Sequence, residues 1–70
     1  MELSQKLKDY RNKNGITQEE FAQAGGLTRA AVAAIESGRI ENPGLETLSG
    51  IARAMQITID ELVNSERTEK

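Results

Sequence analysis

Apolar residues recur along the chain at intervals of three and four: Leu3 and Leu7; Phe21 with Ala22 and Ala24; Val32 and Ile35; Leu45, Leu48, Ile51, Ala52 and Met55. This spacing lines them up on one face of a helix with about 3.6 residues per turn, and no stretch alternates with the period of two that a half-buried strand needs. The pattern predicts an all-α chain of five short helices.

Local chemistry sets the boundaries. In Ile16-Thr17-Gln18-Glu19-Glu20-Phe21, the Thr17 hydroxyl can accept from the N–H of Glu20 while the Glu20 carboxylate reaches back, and Ile16 can staple to Phe21 across the cap. Leu27 to Val32 repeats the arrangement with Thr28 as N-cap, although Ala31 stands where a capping-box glutamate would be. Ile57 to Leu62 has the full set again, Thr58 with Glu61 and Ile57 with Leu62. Helix two is therefore expected at about 17–24 and helix three at about 28–37.

Glycines supply the stops. Gly15 is expected as a left-handed C-cap, Gly25-Gly26 separates helices two and three, and Gly38 ends the third. Asn42-Pro43-Gly44 forms a turn in which Gly44 serves as a modest N-cap for helix four. Gly50 lies inside that helix, where glycine costs about 1 kcal/mol relative to alanine, and the sequence offers no reason for it. Residues 65–70 lack an apolar anchor and read as a flexible charged tail, which leaves 1–64 as the folded domain.

A length of 70 residues suits one small domain, near the lower limit for folding without cross-links. The chain has no cysteine and no histidine, so thiolate and imidazole metal sites and the usual general bases are missing; no metal or cofactor is expected. An enzyme reading finds no nucleophile–base pair or phosphate loop. No apolar run approaches the roughly 20 residues of a membrane span, and no signal-peptide centre stands at the start, which points to the cytoplasm. Nine basic and eleven acidic side chains leave a charge of −2, the wrong sign for indiscriminate coating of a polyanion. The distribution is uneven: Lys6, Lys8, Arg11 and Lys13 gather in the first helix, while Glu46, Asp60, Glu61, Glu66 and Glu69 weight the second half.

Two short helices joined by a glycine turn have the outline of a helix-turn-helix. The segment TQEEFAQAGGLTRAAVAAIESG, residues 17–38, closely resembles the Cro and phage-repressor-like (lambda-repressor-like, XRE-type) helix-turn-helix family, and the similarity continues through NPGLETLSGIARAMQITIDEL. It covers roughly residues 3 to 63 and implies a compact five-helix DNA-binding domain with helices two and three as the helix-turn-helix. There are three departures. Gly25 replaces the apolar residue that usually closes helix two, the Gly38 to Pro43 loop is about one residue longer than the commonest form, and the outward face of helix three is poor in polar side chains.

On a helical wheel at about 100° per residue, Ala31, Val32 and Ile35 form the core side of helix three, and Arg29, Ala30, Ala33, Ala34 and Ser37 face away. By resemblance the outward side enters the major groove, which makes Arg29, Ala30, Ala33 and Ala34 the reading positions. Arginine in a helix's first turn faces the positive end of the macrodipole, so folding does not ask for it; a guanidinium there can pair with guanine O6 and N7. The alanines admit two readings, as good helix formers at exposed sites or as methyls that let the helix lie deep against thymine methyls.

The resemblance also assigns positioning roles. Gln18 and Thr28 match phosphate-contacting positions at the starts of helices two and three, Arg39 and Asn42 are loop candidates for the sugar-phosphate chain, and Arg11 with Glu36 match a structural ion pair. The implied partner is double-stranded DNA, a near-palindromic operator bound by a homodimer, with Leu62 and Val63 of helix five either at the dimer surface or finishing the core. The alternative is a protein-interaction module or antitoxin-like subunit on the same fold, which the net negative charge and the alanine-rich face favour.

Overall fold

The computed structural model describes residues 3–64, and the tail expected at 65–70 lies outside them. Among the described residues the chain is all-α: α1 (Leu3–Asn14), α2 (Gln18–Gly25), α3 (Arg29–Glu36), α4 (Leu45–Met55) and α5 (Ile59–Asn64). None of these helices is long and apolar enough to cross a membrane.

Each helix start carries the chemistry its residues allow. Thr17 Oγ1 accepts from Glu20 N–H at 3.0 Å while Glu20 Oε1 accepts from Thr17 N–H at 2.8 Å, a complete capping box. Thr58 and Glu61 make the same reciprocal pair at 3.0 and 2.9 Å. Gly44 opens α4 without a side-chain cap. After α4 the chain turns through Gln56, a non-glycine residue with φ 62°. There the Gln56 and Ile57 N–H groups donate to the carbonyls of Arg53 and Ala52, satisfying acceptors that the helix end leaves open.

The apolar faces of all five helices meet in one core built on Leu3, Leu7, Phe21, Val32, Ile35, Ile51 and Leu62. Tyr10 and Phe21 pack edge-to-face with ring centroids 5.9 Å apart, and the Tyr10 hydroxyl donates to the Ala54 carbonyl at 3.3 Å. A single aromatic pair thereby ties α1 to both α2 and α4. Lys6 Nζ donates to the Leu62 carbonyl at 3.2 Å near the end of α5, where a cation also complements the helix dipole.

The glycines of α2 and α4 behave differently from expectation. Gly25 is the last residue of α2 and is buried, while Gly26 alone makes the left-handed turn at φ 70°. A Cβ on Gly25 would collide with the Gly50 carbonyl oxygen, and a Cβ on Gly50 would lie 2.6 Å from both the Gly25 carbonyl oxygen and Leu27 Cδ2. The two glycines thus let the backbones of α2 and α4 touch. Gly25 is half of a close helix crossing, and Gly50 is its partner.

Gly50→Ala is expected to lower stability by about 1–3 kcal/mol through overpacking, against the gain of about 1 kcal/mol that alanine brings to an exposed helix interior; chemical denaturation measures the sign. Gln56→Gly should do the opposite and stabilise by about 0.5–1 kcal/mol, because the left-handed strain removed exceeds the chain entropy added. In a domain this small a Tm rise of several degrees would record it.

Candidate nucleic-acid interface

The helix-turn-helix is assembled from the two threonine caps and the glycine between them. Thr28 Oγ1 accepts from the Ala31 N–H at 3.0 Å and starts α3 directly after the Gly26-Leu27 turn, where Leu27 N–H donates to the Ala22 carbonyl at 2.7 Å. α3 then buries Val32, Ala34, Ile35 and Glu36. On its opposite side Arg29 and Ala30 are exposed and Ala33 is half-exposed. Among the described residues, Arg29 has no hydrogen-bond or ion-pair partner.

Ala34 does not belong to that outward face. It is 5% exposed, and its carbonyl accepts from the N–H groups of Arg39 and Ile40 and from the Ser37 hydroxyl, at 3.0, 3.2 and 3.0 Å. The helical wheel sets Ala34 on the outward face because it reports angle along one helix and is blind to tertiary packing. Arg39 and Asn42 are exposed on that loop, and Thr28 is exposed at the helix start.

A polar cluster supports the helix-turn-helix from the α1 side. Arg11 Nε donates to Glu36 Oε2 at 2.6 Å, Nη2 to Oε1 at 2.8 Å, and Nη1 to the Ile16 carbonyl at 3.1 Å. Gln18 Nε2 adds a bond to Glu36 Oε1 at 3.1 Å. Glu36 is 5% exposed and Arg11 is 18% exposed, so this is a bidentate pair in a largely desolvated setting. The Arg11 hydrogen bonds hold the Glu36 carboxyl below its ordinary range against the opposing effect of burial, with help from Gln18 and the nearby charge of Lys8. The same bonds raise the Arg11 guanidinium. No buried side-chain nitrogen or oxygen among the described residues lacks a partner.

Residues 7–62 match the sequence profile of the helix-turn-helix family. The chain belongs to that family. Over 66 residues, 94% of this chain, it is 36% identical to the HTH-type transcriptional activator BcrR of Enterococcus faecalis, covering 32% of that protein. It is 35% identical over 66 residues to the immunity repressor protein of Bacillus phage phi105, of which it covers 45%. An uncharacterised HTH-type transcriptional regulator of Archaeoglobus fulgidus is 35% identical over 57 residues, with 81% of this chain and 80% of that protein covered. The chain thus spans less than half the length of the first two.

Within this helix-turn-helix domain, the bond from Gln18 to Glu36 is the feature that sequence reasoning missed. The sequence marks each residue separately, but their meeting depends on the start of α2 lying beside the end of α3, which no local pattern reports. Because the folded protein binds the Glu36 proton less tightly than the unfolded chain does, the pair's contribution is complete above the ordinary value of 4.5 and is lost as pH falls through the depressed folded value. Acid titration of stability should therefore fall more steeply below the ordinary carboxylate range in the unmodified protein than in Glu36→Gln. At neutral pH, Arg11→Met should cost about 3 kcal/mol in denaturant unfolding by leaving the carboxylate uncompensated.

Proposed function

We propose that this helix-turn-helix chain is a sequence-specific double-stranded-DNA-binding transcriptional regulator whose α3 lies in the major groove. The observation that carries this reading is the outward face of α3, where Arg29 is exposed and without a partner among the described residues, on a helix held from behind by the Arg11–Glu36 pair. The names of the relatives, an activator and an immunity repressor, support regulation at DNA and leave its sign open.

In this reading Arg29 pairs with a guanine edge, Ala30 and Ala33 lie against thymine methyls, and Gln18, Thr28, Arg39 and Asn42 grip the sugar-phosphate chains. Ala34 takes no part. The protein acts as a homodimer in the cytoplasm, on a near-palindromic operator whose half-sites are about 34 Å apart. Leu62 is buried in the core and is not available to a second copy. The exposed large apolar side chains among the described residues are Ile40, Leu45 at 71% exposure, and Val63.

Duplex DNA selected from a randomised library should bind with affinity that drops more than about tenfold between roughly 50 and 200 mM salt, since phosphate neutralisation releases counterions. Salt-indifferent binding, or none, would favour a protein-interaction module. Arg29→Ala should relax preference at one guanine in each half-site by about five- to a hundredfold, and repeating the selection with that variant measures it.

A further inference from the structure

Resting on the DNA-binding reading, we propose that Glu36 is a positioning residue for the phosphate contact of Gln18, acting through the side-chain amide without touching DNA. A primary amide presents an N–H edge or an oxygen edge of nearly the same shape, exchanged by a half-turn about its last bond. A phosphate oxygen only accepts, so only one of the two orientations can bind it. A freely rotating Gln18 would have to be ordered on binding, which weakens the contact.

Glu36 removes that freedom. Its carboxylate is an acceptor only, and Oε1 already takes Arg11 Nη2 at 2.8 Å when it accepts Gln18 Nε2 at 3.1 Å. Turning the amide over would set its oxygen against this carboxylate. The bond consumes one of the two Nε2 hydrogens and leaves the geminal one for a second acceptor. Gln18 is the first residue of α2; the Thr17 hydroxyl takes the Glu20 N–H, but the backbone N–H groups of Gln18 and Glu19 lack intrahelical acceptors and the helix dipole favours an anion there. Arg11 completes the device. Paired to both Glu36 oxygens, it neutralises a carboxylate that would otherwise repel the phosphate behind which it sits.

The test is a double-mutant cycle in DNA affinity, with the duplex recovered by selection from a randomised library as the probe and each variant shown to be folded at the assay temperature. Gln18→Ala should weaken binding about three- to tenfold in the unmodified protein, the value of one ordinary hydrogen bond, and less than about twofold in the Glu36→Gln background. Equal losses in the two backgrounds overturn the proposal, while changes confined to stability leave this coupling untouched. Should Glu36→Gln fail to fold, NMR of the unmodified protein decides. The carboxylate-bonded Gln18 amide proton should keep its position when the duplex is added while its geminal partner moves, and movement of the first to the position of a solvated amide overturns the proposal. If selection recovers no duplex, the regulator reading falls and the positioning role with it; additivity in the cycle sinks the positioning role alone.

Discussion

Glu36 stands where a helix least favours a carboxylate. It is the last residue of α3, at the negative end of the macrodipole, and it is buried, so its charge would be strongly destabilising alone. Arg11 and Gln18 offset this, one from α1 and one from the start of α2. An apolar trio of the same volume could serve stability as well or better. What the ionic version adds is directionality, because a bidentate guanidinium–carboxylate pair holds two groups in one plane and one register. α1, the N-terminus of α2 and the C-terminus of α3 are fixed relative to one another by this cluster, and so is the direction in which α3 presents its outer face.

A second constraint acts from the far side of α2. Gly25 and Gly50 bring the α2 and α4 backbones into contact, closer than any pair of side chains would permit, and Leu27 in the turn packs against the same place. The crossing shortens one interhelix distance, while the ion-pair cluster sets the other. Between them α2 is held at both ends, from Gln18 at its start to Gly25 at its finish. In a chain with few aromatic residues, backbone contact takes over positional work that bulky side chains would do elsewhere.

How much of this could be read beforehand followed the range of the interactions. The capping pairs Thr17–Glu20 and Thr58–Glu61 were legible because each lies within three residues, as were the helix-turn-helix order and the all-helical class, which rest on local periodicity. The Gly25–Gly50 crossing was not, since each glycine makes sense only in the presence of the other and they lie on different helices. The burial of Ala34 was not legible for a related reason: angular position along one helix does not report which parts of its surface the rest of the fold covers. Gln56 in a left-handed turn carries no signal at all, because glutamine is an ordinary helix former and nothing near it marks the strain.

The removal of Ala34 sharpens the question of specificity. On the proposed reading, α3 turns Arg29, Ala30 and Ala33 toward the bases; one bidentate arginine per half-site would supply about 1–3 kcal/mol of discrimination, and the two half-sites of a homodimer about 2–6 kcal/mol. Specific regulators separate their sites from random DNA by about 4–10 kcal/mol. Direct readout therefore reaches only the lower part of that range even when doubled, and a single half-site falls below it. Methyl contacts would narrow the gap where thymines lie opposite Ala30 and Ala33. On that reading, what remains would come from the ease with which the operator bends or narrows under the protein, and a stiff protein imposes such a deformation better than a yielding one. The Arg11–Glu36 pair and the Gly25–Gly50 crossing would supply that stiffness, so on this reading the sparsest part of the interface depends most on groups that do not themselves touch the DNA.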